Sequence, residues 1–388
     1  MKKRLSFLKL FFRQFPFIFP NGIIYGAQEY ITTIQKKTEW YRLRDSHWCK
    51  EKFAEEIIIN KLPLNFREEH ALKFRQNRII KTYNVNLFFF SGIFLLGDNG
   101  IVLSKKNKVF NEFTHNFKIS NLQKSKIFTP FFCTSFKITK ENRIAALLCS
   151  PESNNHYHWL FDALPRLKLL ENVIDAIEVF IVPNQISKNQ IWMLNQMGIT
   201  EERLYKITPT EKIWFENIYI TSLPGSEGFS PKWAIDFLRK SFGITKNKKK
   251  EKNYYFTRRD VKTRQIINEE AIITLLLKHD FEVITMSELS FIEQIEICSN
   301  AKTIISYHGA ALSNIVFSTD CTIVEIFSPD YFRTDCYYTL ANLLNLKYFY
   351  LVGENSFDEK RLLWGDIFLE IEKLQQTLTS FLNQQIEN

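Results

Sequence analysis

Several features that would settle a class at once are scarce or missing. With only 12 glycines and 11 prolines in 388 residues, collagen-like, low-complexity and Pro-rich architectures are excluded. The apolar N-terminal stretch is interrupted by Lys9, Arg13 and Pro16. It therefore offers neither the continuous core of a secretory signal nor a bilayer span. The six cysteines, at 49, 133, 149, 298, 321 and 336, contain no Cys-x-x-Cys pair, which predicts reduced core thiols and a cytoplasmic setting. No internal repeat, helix-turn-helix, zinc-finger or RNP-like pattern is present, and a nucleic-acid partner is not expected.

What is present begins with size: 388 residues exceed what one core usually supports, so two domains are expected. The abundance of Phe, Ile, Lys and Asn looks like the base-composition bias of an AT-rich bacterial genome. A net charge of +9 suits an anionic substrate or an anionic membrane. Part of it is local, because Lys246, Lys248, Lys249, Lys250 and Lys252 crowd one polar stretch that reads as a solvated linker. The segment from Met1 to Tyr30 is basic and aromatic. Two readings of it stand: it lies on an anionic membrane face, or Leu8, Phe11, Phe12 and Phe15 pack on the second domain.

Periodicity changes along the chain. The stretch from Glu51 to Ile59 predicts helix, and β-branched and aromatic runs between Arg78 and Phe131, broken by Gly97-Asp98-Asn99-Gly100, predict hairpins. After Ser150, helix and strand alternate: strand Glu178 to Val182, helix Lys188 to Met197 stopped by Gly198, strand Asn217 to Thr221, and a helix opened by Pro231. Beyond the lysines come strand Tyr254 to Thr257, a helix that Asn268 can cap, strand Phe281 to Thr285, a Ser290/Glu293 capping box, and strands Thr303 to Ser306 and Thr322 to Phe327. This alternation predicts an α/β fold with a parallel sheet. A last helix is expected over about Leu362 to Leu382, with a possible crossing back to the first domain.

Three segments carry chemistry. Asn155 suits an N-cap for a helix-like run in which His158, Asp162 and Arg166 recur at spacing four, with His156 before them. Pro165 withholds a backbone donor from Phe161 and predicts a kink. The second segment, Tyr254 to Asp260, delivers Arg258 and Arg259 at a strand end, followed by Arg264. The third places His308, Gly309, Ala310, Ala311 and Asn314 in a turn between strand and helix, where small side chains let an anion approach backbone N–H groups.

The His-Trp-Leu-Phe-Asp-Ala-Leu-Pro-Arg run from His158, the Thr-Arg-Arg-Asp run with Arg264 and Asn268-Glu269, and Tyr307 to Asn314 together resemble glycosyltransferase family 61. Their order and separations match over roughly Ser150 to Glu325. The resemblance implies an inverting, sugar-nucleotide-dependent transferase with two Rossmann-like domains facing a cleft, the GT-B arrangement, here with a β-rich N-terminal portion. The expected organisation is a basic segment at 1–30, an acceptor-side α/β domain at 31–245, a linker at 246–252, a nucleotide-sugar domain at 253–360 and a C-terminal helix at 361–388. The expected partners are a nucleotide sugar and a glycan or lipid-linked glycan of a capsule or lipopolysaccharide system. The chain would then work in the cytoplasm or peripherally on the inner membrane face.

Glycosyl transfer makes two electrostatic demands. A departing diphosphate gains charge, which Arg258, Arg264, His308, Gly309, Ala310 and Asn314 can meet. Glu325, at a strand end, can accept two ribose hydroxyls. The acceptor hydroxyl must lose a proton, and His158 and Asp162 are the candidates for that base, with Arg166 holding an anionic acceptor or pairing with Asp162. No cofactor or metal is expected, since none of the twelve aspartates forms an Asp-x-Asp pair and His156 and His158 point apart on a helix. Two other classes remain open. One is a non-catalytic sugar-nucleotide or polyanion-binding protein; the other is a metal-dependent phosphoesterase using His156 and His158.

Overall fold

The computed structural model describes residues 22–41, 47–113, 137–150, 152–225, 228–245, 250, 252–355 and 366–386. The expectations for residues 1–21, Cys133 and Lys246, Lys248 and Lys249 of the linker lie outside the described residues. The chain forms two compact units, one of residues 1–55 and 83–226, the other of residues 56–82 and 227–388. The stretch 31–245 expected as one N-terminal domain spans parts of both units. Residues 56–82 pack in the second unit, where Asn60 Nδ2 donates to Thr339 Oγ1 at 3.0 Å, Asn65 Nδ2 donates to the Tyr350 carbonyl at 2.7 Å and the Phe74 ring lies 5.1 Å from that of Tyr338. Residues 228–245 join them through Arg239, whose Nη1 donates to the Val316 carbonyl at 2.6 Å.

The first unit is built on a ten-stranded mixed sheet. Its spine comprises β1 (Val85–Leu96), β2 (Ala145–Leu147), β3 (Val179–Pro183), β4 (Leu204–Ile207) and β5 (Glu211–Thr221). Strands β1 and β5 run antiparallel from Leu87 opposite Thr221 to Leu96 opposite Lys212. Alternation sends Phe88, Phe90, Ile218 and Ile220 into the core, while Phe89 and Tyr219 face the other side. Beyond β5, strands β2, β3 and β4 pair in parallel. The connection from β2 to β3 is the helical run containing His158, and Lys188–Gln196 connects β3 to β4. The Ser187/Gln190 capping box starts the latter helix. The glycine turn expected at 97–100 does join two antiparallel strands, with Gly97 at φ 69° and Gly100 at φ 65°.

Helix is not formed over Glu51 to Ile59. Trp48–Phe53 is a strand paired with β1, and Ile57–Ile59 pairs with Ile79–Lys81. The β-branched isoleucine run and the cross-strand stacking of Trp48 on Phe89, with centroids 5.9 Å apart, favour pairing over local helix.

The second unit holds five parallel strands, β6 (Lys252–Phe256), β7 (Phe281–Ile284), β8 (Ala301–Tyr307), β9 (Thr322–Phe327) and β10 (Lys347–Val352). Their spatial order is β7-β6-β8-β9-β10. This is the doubly wound 2-1-3-4-5 order, whose ligand crevice opens beyond the carboxyl ends of its first and third strands. The Ser290/Glu293 capping box forms as expected. Asn268 does not cap its helix; its side chain instead pairs with both backbone groups of Leu369 at 2.8 and 3.0 Å. The C-terminal helix is Ile371–Ile386, and Leu374, Leu378 and Phe381 bury its apolar face in this unit's own core. Among the described residues, no helix is long and apolar enough to cross a membrane.

The β1–β5 layer should carry much of the first unit's stability. Phe88 is fully buried, with the Phe113 ring 5.2 Å away. Phe88→Ala is expected to cost about 3–5 kcal/mol in denaturant unfolding, and a loss below about 1 kcal/mol would contradict this assignment of the core.

Candidate functional site

The first group of functional side chains follows the carboxyl end of β2. The Asn155 side chain accepts from the Tyr157 N–H at 2.8 Å and caps a short turn, His156–His158. The ladder then widens into a π-helical run, Trp159–Ala163, in which the Leu164 N–H reaches the Trp159 carbonyl at 3.0 Å. Pro165 lacks the N–H that would restore the α ladder at Phe161, and the kink expected there takes this form. A helix resumes at Arg166–Leu170.

On that run His158 and Asp162 meet: Nδ1 and Oδ2 are 2.7 Å apart. The other ring nitrogen, Nε2, lies 2.9 Å from Glu152 Oε2. Burial acts to lower the His158 pKa, but the hydrogen bond and charge of Asp162 and the charge of Glu152 outweigh it, so the pKa is raised. An imidazole between two carboxylates donates from both nitrogens and is favoured as the cation. His156 is half-buried on the first turn, two residues from His158.

Arg166 neither pairs with the Asp162 carboxylate nor reaches toward an acceptor. It is 2% exposed, and its Nε donates to the Asp162 carbonyl at 2.9 Å while Nη1 reaches the Cys149 and Leu147 carbonyls at 3.0 and 3.3 Å. Burial pushes its pKa down to about 10, against the opposing charge of Asp162. The side chain thus ties the kinked run to the open end of β2.

The second group sits at the crevice of the doubly wound sheet. Phe256 and Ser306 are register partners on β6 and β8, so Arg258 and His308, each two residues on, leave the sheet side by side. Of the two neighbouring arginines, Arg259 is paired with Glu269 at 3.0 Å and Glu270 at 2.6 Å. Glu269 also accepts from Tyr255 and Thr257 at 2.7 and 2.8 Å, which fixes the strand end. Arg258 is half-buried and donates through Nε to the Arg264 carbonyl at 3.2 Å. Burial and then the nearby Arg264 charge lower its pKa, with Asp260 opposing.

Arg264 holds a left-handed φ of 58° in a loop pinned by Gln265 N–H to Asp366 Oδ1 at 2.9 Å and by Ile267 N–H to the Ile367 carbonyl at 2.8 Å. Its guanidinium lies 5.3 Å from the Tyr331 ring, and its buried Nε has no hydrogen-bond partner. Among the described residues, neither Arg258 nor Arg264 has a carboxylate within ion-pair distance. Two partly desolvated guanidiniums without an ion-paired acid among the described residues are chemically suited to an anion.

Gly309 has an extended φ of 179°, so backbone freedom is not what glycine supplies there. A Cβ at this position would lie 1.8 Å from Arg258 Nη1. Glycine makes room for the guanidinium against the turn. The residues that follow, Ala310–Phe317, form a 3₁₀ helix. Ala310 is partly exposed at its start, whereas Asn314 is 1% exposed and donates to Gln294 Oε1 at 3.1 Å and the Ala311 carbonyl at 3.2 Å. Asn314 therefore braces the turn from inside rather than reaching a donor.

Glu325 is likewise displaced from the role expected of it. It is fully buried; Oε1 lies 2.5 Å from His308 Nδ1 and Oε2 accepts from Tyr348 at 2.6 Å. With both oxygens engaged it cannot present itself to a ribose, and it orients His308 instead. Burial raises its pKa, opposed by the bonds from His308 and Tyr348. His308 is further enclosed by Phe327, Tyr331 and Tyr337.

Glu152, Glu269, Asp366 and the tyrosine rings were not legible as site residues in the sequence. Only Glu152 had a local signal, an acid in the turn-rich stretch just ahead of the Asn155 cap. A separate cavity of about 290 Å³ opens at the end of β10, where Arg67, Glu69, His70, Tyr350 and Lys373 line it. Its cations have acidic neighbours: Arg67 is 3.7 Å from Glu69, and Lys373 is 2.7 Å from Glu370. That makes it a weaker anion site than the Arg258–Arg264 turn.

Residues 156–324 match the family model described as Glycosyltransferase 61. The match takes in His156, His158, Asp162, Arg166, Arg258, Arg264 and the turn from His308 to Asn314, and stops one residue before Glu325. The chain is also similar to the EGF domain-specific O-linked N-acetylglucosamine transferase of Drosophila melanogaster, with 31% identity over 98 residues. That alignment covers 24% of this chain and spans 18% of the relative's length.

Because Arg166 bonds only carbonyls, replacing it leaves them unpaired in a buried site. Arg166→Met is expected to lose about 1–3 kcal/mol of stability for each carbonyl left unpaired, measured by chemical denaturation. A variant as stable as the wild type would contradict the bracing role.

Proposed function

We propose, from the glycosyltransferase 61 pattern across residues 156–324, that this chain is an inverting glycosyltransferase moving a sugar from a nucleoside diphosphate sugar to a glycan hydroxyl. The observation that supports the proposal is the Arg258–Arg264 pair, two half-buried cations where the doubly wound sheet opens, with no carboxylate in ion-pair distance among the described residues. A diphosphate there meets fixed positive charge that grows in value as the glycosidic bond breaks. With His308 Nδ1 held by Glu325, Nε2 is the nitrogen left to donate to the same phosphates. Metal has no necessary part in this scheme. The GT-B arrangement implied by the resemblance belongs to the proposal, and the 2-1-3-4-5 strand order of the second unit supports its half.

The acceptor side falls to His158. As the neutral imidazole, with Nδ1–H donating to Asp162, it takes the hydroxyl proton on Nε2 while the acceptor oxygen bonds the anomeric carbon and the diphosphate leaves with the bonding electrons. Asp162 fixes the tautomer and stabilises the cation that forms. A surface glycan precursor such as a capsule or lipopolysaccharide unit is the acceptor class proposed.

Purified protein incubated with a panel of nucleotide sugars should release nucleoside diphosphate in a donor-specific way, undiminished by chelator. His158→Ala should lower turnover by roughly two to four orders of magnitude, with donor affinity nearly unchanged. Arg258→Ala and Gly309→Ala should instead weaken diphosphate binding by about tenfold or more. Donor binding with no diphosphate release under any acceptor would identify a non-catalytic binder, and abolition by chelator would support a metal-dependent phosphoesterase.

A further inference from the structure

Glu152 stands outside the matched segment, yet its carboxylate touches the nitrogen on which the proposed chemistry turns. Oε2 lies 2.9 Å from His158 Nε2, while Nδ1 on the opposite edge of the ring is held by Asp162 at 2.7 Å. An incoming hydroxyl must donate to Nε2. It therefore competes with Glu152 for one position.

The two carboxylates are not equivalent. The Asp162 side chain is 12% exposed, and that of Glu152 is 63% exposed. Displacing Asp162 would strand a buried group, whereas displacing Glu152 returns a carboxylate to water. With the Glu152 carboxylate mostly in water, solvent screens its side of the pair and a substrate hydroxyl can replace it. The backbone beneath is fixed: Ser150 N–H donates to Ser153 Oγ at 2.6 Å, Gln190 Nε2 donates to the Ser153 carbonyl at 2.9 Å, and the Asn155 N–H donates to the Glu152 carbonyl at 2.7 Å. Glu152 itself sits at a left-handed φ of 64°, a conformation unfavourable to a glutamate. That turn aims the side chain at the ring, and only the side chain needs to move.

We propose that Glu152 is a gate on the acceptor side: its carboxylate occupies His158 Nε2 in the resting protein and is displaced by the acceptor hydroxyl. The inference rests on His158 as the base. In the resting state the ring is a cation, donating from Nδ1 to Asp162 and from Nε2 to Glu152, and a cation cannot abstract a proton. When Glu152 swings out, the Nε2 proton passes to solvent and the free lone pair accepts the hydroxyl. Among the described residues, Asp162 from the same helical run and Glu152 from the preceding turn are charged groups that act on the ring. Removing Glu152 therefore lowers the pH at which His158 becomes neutral, and the acid limb of the rate profile moves down with it.

The test uses the full chain. Histidine-selective NMR titration without substrate, with the His158 signal identified by its loss in His158→Gln, should show the His158 midpoint falling by about half to one pH unit in Glu152→Gln and Glu152→Ala. The acid limb of kcat/KM should shift equally, and the acceptor KM should fall while donor affinity holds. An unmoved His158 midpoint would overturn the gate whether or not sugar transfer is seen. A shifted midpoint with an unmoved acid limb would likewise overturn it, by separating the Glu152 contact from turnover. If the wild type transfers no sugar from any donor, the base assignment fails on its own, and with it the gate's role in catalysis.

Discussion

The parallel register between β6 and β8 is the constraint on which the chemistry proposed for the second unit depends. Phe256 and Ser306 lie opposite each other, so the chain leaves both strands at one level, and Arg258 and His308 emerge together. A shift of one residue would turn each side chain to the other face of the sheet. Everything else there preserves that placement. Glu269 collects Tyr255, Thr257 and Arg259, and among the described residues Arg258 has no carboxylate in ion-pair distance. Gly309 withholds the Cβ that would expel the guanidinium. Glu325, sealed beneath, holds the imidazole by one nitrogen.

The first unit solves a related problem with a buried cation. Parallel strand ends expose carbonyls, and Arg166 takes those of Leu147 and Cys149 together with that of Asp162. The helical run can therefore be π-wound and interrupted by Pro165 without losing its seat on β2. His158 and Asp162 gain a fixed relation because their backbone is clamped one turn later. In both units a charged side chain that looks available in sequence is spent on structure, and the proposal gives the chemistry to its neighbour: Arg166 beside Asp162, Arg259 beside Arg258.

Much of this was legible because it rests on local rules. Spacing four brought His158 to Asp162, Asn155 capped the turn, Pro165 broke the α ladder, and the strand-helix alternation after Ser150 gave the parallel strands. What separates Arg258 from Arg259 is the fold, which brings Glu269 and Glu270 onto Arg259. The failures have a common cause in long-range contacts. The Glu325 carboxylate depends on strands β8, β9 and β10 lying side by side, and Asn314 meets Gln294 only when two helices pack. Residues 56–82 leave the first unit because Asn60, Asn65 and Phe74 find partners near Tyr338 and Tyr350, far away in sequence. Glu51 to Ile59 forms strand rather than the expected helix because β1 and Ile79–Lys81, distant in sequence, supply the partners that decide its form.

The central claim is that the turn between Arg258, Arg264 and Gly309 receives a diphosphate. A crystal structure of the full chain with a nucleoside diphosphate tests it most directly. The phosphate oxygens should lie within hydrogen-bonding distance, about 2.7–3.2 Å, of both guanidiniums, with the buried Arg264 Nε gaining a partner. A diphosphate bound instead at the end of β10, among Arg67, His70 and Lys373, with Arg258 and Arg264 untouched, would contradict it.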